Sequence, residues 1–196
     1  MISAILIAAG ESKRMGAANK LLLELKGEPL VYRTASTLLA SAADEVVAVL
    51  GHKAEAVEAA LRGKVRTVFN PNYSRGMTTS IQAGVLACSE QTRAYLICLA
   101  DLAFLQVADV NRIIETWKAA QSNAIAAPIH GSKRGNPVVF SSDYREDILA
   151  CQEMNGCKSV IKKHQDKLQL VAMDNDHCLR DMDHPEDYQL IKQALT

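Results

Sequence analysis

The chain has 196 residues, 48% of them hydrophobic and 22% charged, which suits one folded domain over residues 1–196 with a sizeable core. Lys plus Arg and Asp plus Glu each number 22, so the net charge is zero. That argues against a general nucleic-acid binder, which carries a basic excess. No apolar run approaches the ~20 residues of a membrane span, and the first apolar stretch lacks the basic flank of a secretory signal.

Strand and helix signals alternate along the chain. Ser3 to Ala9 is an apolar run and reads as a buried strand; a polar loop from Gly10 to Lys20 follows. Pro29 is expected to open a helix, in which apolar pairs recur every four residues through Leu38 and Leu39. Glu45 to Leu50 reads as a strand, Lys53 to Leu61 as a short helix and Val65 to Phe69 as a third strand. The turn cluster Asn70 to Gly76 leads into a helix with Met77, Ile81, Val85 and Cys88 on one face. Ala94 to Ala100 is a strand stopped by Asp101, and an amphipathic helix runs from Val107 past Trp117. Ala124 to Ile129 and Pro137 to Phe140 read as strands around a polar turn. Short helices at Asp143 to Ala150 and Lys158 to His164, a strand at Leu168 to Met173 and a helix at Pro185 to Ala194 complete the chain.

Strands that are apolar throughout, separated by helices, predict an α/β fold with a mostly parallel central sheet covered on both faces. Ligands of such sheets bind at the carboxyl ends of the strands. This rule places the Gly10 loop, the Asn70 turn and Asp101 on one edge. Small residues after the first strand let backbone N–H groups approach a phosphate, and Arg14 and Lys20 bring two positive charges. The loop is neither a P-loop nor a dinucleotide fingerprint, because Gly10 and Gly16 have the wrong spacing and followers. A solvated surface turn is equally compatible with these residues alone.

Asp101, at a buried strand's carboxyl end, is placed either to hold a divalent cation or to make a turn. Asp183 and Glu186 have the spacing of a helix cap, Pro185 suits a first helical turn, and alternation puts Asp181 and Asp183 on one side of an extended segment. The five cysteines are scattered and odd in number, which suggests reduced thiols in a cytoplasm and no zinc site. His52, His130, His164 and His177 sit in no motif.

The string Ala8-Ala9-Gly10-x-Ser12-x-Arg14-Met15-Gly16, followed by Lys20, resembles the signature of the MobA-like nucleotidyltransferases, which attach a nucleotide to the molybdenum cofactor. Further segments resemble the family in the same order: Asn70 with Gly76 and Ser80, Ala100-Asp101, Gly135-Asn136-Pro137, and Asp183 ahead of Pro185. The resemblance implies a three-layer, Rossmann-like nucleotidyltransferase fold. It implies that Ala8, Ala9, Gly10, Ser12, Arg14, Lys20, Asn70, Gly76 and Ser80 bind the nucleotide. Arg14, Lys20 and Asp101 would be catalytic, Asp101 and Asp183 would hold Mg²⁺, and Gly135, Asn136 and Pro137 would face the acceptor. Ala9, where the guanylyl branch has a second glycine, implies CTP rather than GTP as donor. The implied acceptor is molybdopterin, and the implied partners beyond it are a molybdoenzyme or its chaperone, with no nucleic acid or membrane. Three positions depart from the pattern: Ala103, Asn136 and His184. They leave room for a guanylyltransferase, a sugar- or polyol-phosphate transferase, or a non-catalytic nucleotide-binding module.

Overall fold

The structure, a computed structural model, describes residues 1–16, 18–120 and 123–195. Strand β1 (Ile2–Ala8) is followed by a small hairpin of β2 (Glu24–Leu25) and β3 (Glu28–Pro29), then by helix α1 (Leu30–Leu39). Next come β4 (Glu45–Leu50), α2 (Ala54–Leu61), β5 (Arg66–Phe69), α3 (Met77–Ala87), β6 (Ala94–Leu99) and α4 (Val107–Ala119). The second half contributes β7 (Ile125–His130), β8 (Lys133–Arg134), β9 (Val138–Ser141), α5 (Arg145–Ala150), α6 (Lys158–Lys163), β10 (Leu168–Ala172) and α7 (Pro185–Ala194).

The main sheet has the order β10-β7-β9-β6-β1-β4-β5, with β8 added beside β7. β1 pairs in parallel with both β4 and β6, whereas β9 is antiparallel to β6 and β7. Alternation divides β1 between two cores. Ala4, Leu6 and Ala8 face Val31, Leu38, Val57 and Ile113 of α1, α2 and α4. Ile5 faces Ile81 and Val85 of α3 and Ile148 of α5. This is a three-layer α/β sandwich, as the alternation of elements predicts.

One close approach sets the depth of α3. A Cβ added to Gly84 would stand 2.3 Å from Ile5 Cγ2, so the helix lies nearer the sheet than any side chain there permits. Its first residues are thereby brought to the sheet's carboxyl edge. At the opposite edge a polar cluster closes the sheet. Ser3 Oγ donates to Glu45 Oε2 (2.8 Å) and lies 2.7 Å from Thr92 Oγ1. Glu45 also accepts from Ser89 N and Arg66.

The β2–β3 hairpin is absent from the sequence expectation. Its two-residue turn is Lys26-Gly27, both with positive φ (53° and 77°), the turn that matches strand twist. Pro29 accordingly ends β3 in an extended conformation (φ −55°, ψ 141°) and flanks the helix that it was expected to open. β8 is likewise a two-residue strand too short to show a period. No helix among the described residues is long and apolar enough to cross a membrane.

Candidate functional site

The strand order turns back between β1 and β6, and a cleft of about 490 Å³ opens at their carboxyl ends. The loop after β1 forms one wall. A Cβ at Gly10 would meet nothing within 4 Å, so the space above it is open. Ser12 then adopts a left-handed conformation (φ 52°), and its carbonyl accepts from Met15 N at 2.8 Å, tying a short turn that Met15 anchors in the core. Ser12 Oγ accepts from Lys20 N at 3.2 Å, and the buried Asn19 accepts from Leu21 N through Oδ1 at 3.0 Å. These two bonds fold the end of the loop back over the sheet and aim Lys20 at its edge.

Lys20 Nζ lies 2.5 Å from Asp101 Oδ2 and 2.8 Å from Asp183 Oδ1. Arg14 completes the cluster at 2.8 Å from Asp183 Oδ2. The lysine side chain is only 12% exposed, against 60% for Arg14. Burial opposes the charge on Lys20, but the two carboxylates outweigh it and hold the ammonium above the ordinary lysine range. Lys20 is therefore a fixed cation at neutral pH, while Arg14 sits on the solvated side.

The two aspartates arrive from distant parts of the chain. Asp101 follows β6; its carbonyl accepts from Met182 N at 3.1 Å, and Leu102 bridges to Asp181. The segment 181–183 is thus an extended arm laid along residue 101. Met182 is fully buried beneath it, and Asp181 and Asp183 both line the cleft, the alternation expected from the sequence. The expected Asp183–Glu186 cap does not form. Asp187 Oδ2 accepts from both Asp183 N (2.9 Å) and His184 N (2.7 Å), and this frees the Asp183 carboxylate for Lys20 and Arg14.

Three carboxylates consequently face two cations. Partial desolvation, then the charges of Asp101 and Asp183, raise Asp181 above the ordinary aspartate range, although one side of the residue is open to solvent. Asp101 Oδ1 is buried and has no hydrogen-bond partner among the described residues. A buried carboxylate oxygen left unpaired beside a second carboxylate is the donor set that hard divalent cations take.

The turn after β5 makes the opposite wall. Asn70 is buried and does not line the cleft. Its Nδ2 donates to Thr79 Oγ1 (2.9 Å) and Ser80 Oγ (3.0 Å), and its Oδ1 accepts from Asn72 N. It holds Ser80, which does line the cleft. Gly76 has φ +115°, and a Cβ there would fall 2.5 Å from Met154 O, so only glycine fits. Ala8 is buried below the floor, whereas Ala9 reaches it. Tyr73 and Met154 also line the cleft; Tyr73 lies within the turn cluster, but nothing local in the sequence marks Met154.

A second cavity of about 170 Å³ adjoins the cleft and shares Met77 and Leu99 with it. Gly135 and Asn136 line it; Pro137 is buried beside them. This turn is rigidly supported, because Asn136 N donates to Cys178 O at 2.9 Å and a Cβ at Gly135 would collide with that carbonyl. Between these polar residues the walls are apolar, with Ile81, Ile97, Val138, Phe140 and Ile161.

The histidines lie elsewhere. His164 pairs with Asp147, His177 with Asp109, and His130 with Met173 O. Burial pushes the Cys88, Cys157 and Cys178 thiols up to about 12, so they are neutral at pH 7 and poor nucleophiles.

A family model described as the MobA-like NTP transferase domain matches residues 4–168. Nicotine blue oxidoreductase of Paenarthrobacter nicotinovorans is 33% identical over 154 residues, 76% of this chain and 75% of that protein. Molybdenum cofactor cytidylyltransferase of Escherichia coli is 24% identical over 197 residues, covering 100% of this chain and 97% of that one. A solved nucleotidyl transferase from Methanothermobacter superimposes with a TM-score of 0.88 at 26% identity, over 100% of this chain and 97% of its own. With the strand order, the glycine loop and the match over most of its length, the chain belongs to the MobA-like NTP transferase family and is a nucleotidyltransferase in both family and fold.

Proposed function

We propose that the protein transfers CMP from CTP to the phosphate of molybdopterin and releases pyrophosphate. The observation that carries this reading is the Arg14–Lys20–Asp101–Asp183 cluster at the floor of the cleft, joined to an apolar second cavity. The triphosphate occupies the open space over Gly10. An oxygen of the acceptor phosphate attacks the α-phosphorus in line; the bond to the bridging oxygen breaks, and its electron pair leaves with pyrophosphate. That phosphate is already anionic near neutral pH, so no general base is needed, and no histidine reaches the cleft. Lys20, fixed and desolvated, stabilises charge at the reacting phosphate, and the exposed Arg14 meets the departing one. Asp101 and Asp183 are the residues that would hold Mg²⁺, which supplies further neutralisation of phosphate charge.

Ser80 and the backbone at Gly76 form the nucleoside end, with Asn70 orienting the serine. The Ala9 methyl on the floor narrows the space for a purine, which favours cytosine. Gly135 and Asn136 face the acceptor, and Ala8 and Pro137 act through the neighbours that they position. The apolar walls suit the faces of a flat ring, whose polar edge would take its partners from Asn136 and Asn155 in the same cavity.

The test is a competition assay with Mg²⁺, molybdenum-loaded pterin monophosphate and equal CTP and GTP, read by mass spectrometry. A cytosine dinucleotide is expected. A guanine product would keep the reaction and discard the role of Ala9. A second reading, oxidoreductase chemistry, is favoured by the 33% identity to nicotine blue oxidoreductase. Its signature would be turnover of nicotine blue with a redox partner and no nucleoside triphosphate.

A further inference from the structure

The apolar cavity does not end at Asn136. Arg134 and Lys158 line it and also line a third, open depression, to which Lys133, Arg180 and Asp176 contribute. Three concavities therefore form one continuous track. Its first part holds the phosphate-directed cations Arg14 and Lys20, its middle is apolar, and its far end is basic again.

The far end has charge to spare. Asp176 is the one carboxylate in its wall, and it lies 3.9 Å from Arg180. Arg180 also stacks over the Phe104 ring at 3.9 Å. Lys133, Arg134 and Lys158 make no side-chain hydrogen bond or ion pair among the described residues. Their backbone is well fixed. Lys133 and Arg134 form β8, paired with His130 and Ile129, and Gly135 N donates to Pro128 O at 2.9 Å. On a chain with zero net charge, three unpaired cations around the exit of one apolar cavity form a local field of one sign.

We infer that this basic rim is a second anion subsite, and that the acceptor is a phosphate ester with a ring-sized apolar body and a further negative group at its far end. The inference rests on the reading of the middle cavity as the acceptor's. The size agrees with it: about 170 Å³ is close to the ~150 Å³ of an apolar cavity that encloses benzene. Arg134 offers a planar fork for an oxyanion, and Lys158 a point charge on the other side of the same opening.

The experiment uses two matched probes, benzyl phosphate and 4-carboxybenzyl phosphate, titrated by calorimetry into the full chain with CTP and Mg²⁺ present. The wild-type protein is expected to bind the carboxylated probe about tenfold more tightly, a difference that fades with added salt. In the Arg134→Gln/Lys158→Gln protein the two probes should bind alike, and Arg134→Lys should restore part of the preference. CTP affinity reports whether each variant is folded. Equal binding of the two probes by the wild-type protein overturns the inference, and so does a preference that survives in the double variant. If the preference holds but the transfer assay gives no dinucleotide, the rim stands and the proposed reaction falls.

Discussion

Each of the two edges of the central sheet carries a cluster of charged side chains, and among the described residues only one of them leaves a buried carboxylate oxygen without a partner. At the amino edge, Glu45 accepts from Ser3, Ser89 and Arg66, and Ser3 also meets Thr92. Those hydrogen bonds outweigh the burial that opposes its charge and hold Glu45 below the ordinary glutamate range. At the carboxyl edge, Asp101 keeps one buried oxygen without a partner among the described residues, Asp101 and Asp183 share Lys20, and Arg14 pairs with Asp183 alone. A satisfied cluster stabilises the fold, whereas an unsatisfied one holds back binding capacity for a ligand. The difference separates structural charge from functional charge without reference to any family.

Mutations at the two edges should therefore fail in different ways. Asp101→Asn should lower nucleotidyl transfer by about a thousandfold, because it removes a carboxylate that would hold the cation neutralising the reacting phosphate. Its urea midpoint should fall less than that of Glu45→Ala, since the asparagine oxygen can still accept from Lys20 and repulsion among Asp101, Asp181 and Asp183 is relieved. A large loss of stability with activity retained per folded molecule would erase the distinction between the edges. Lys20→Met should cost about a hundredfold in rate, because it removes the fixed cation at the reacting phosphate.

Glu45→Ala is expected to do the reverse. It takes one acceptor from the Ser3 hydroxyl and one from Arg66, which keep Thr92 Oγ1 and Ala87 O, and should destabilise by about 1–2 kcal/mol in urea unfolding, with kcat unchanged. Gly84→Ala forces α3 off Ile5 and should cost about 1–3 kcal/mol; a lower affinity for CTP would follow if the helix start moves with it.

The smallest effects concern pH, and the two edges differ in sign. Glu45, lowered from 4.5, contributes stability above that value that is lost as pH falls through its folded pKa. Asp181, raised from 3.8, costs stability above its folded pKa, and this cost is relieved as pH falls through it. Urea midpoints between pH 3 and 7 should therefore fall less steeply on the acid side for Glu45→Gln. For Asp181→Asn the midpoint near pH 7 should rise slightly and the acid-side relief should vanish.

Much of the fold was legible because its signals are local. The apolar runs of β1, β4 and β6 and the period of α1 and α4 give both their type and their faces, and α7 begins at Pro185 as expected. The β2–β3 hairpin and β8 were not legible, since two-residue strands carry no period. Within the site, Arg14, Lys20 and Asp101 stand out because they adjoin strand ends. Asn70 is conspicuous in the sequence for its turn, yet in the structure its amide is consumed within that turn.

The sequence by itself determined the α/β alternation, the sheet edge at which the candidate site residues gather and their residue types, because each follows from neighbours along the chain. Only the tertiary structure decided which charges meet. Lys20, Asp101 and Asp183 are joined by a pairing between the segment 101–102 after β6 and the 181–183 arm, which no local pattern encodes. The tertiary structure also decided that Asp187 and not Glu186 caps α7, that Asp101 Oδ1 is left unpaired, and that a basic rim closes an apolar track. Pairing between segments far apart in the chain depends on how whole elements pack, and packing is a property of the folded molecule.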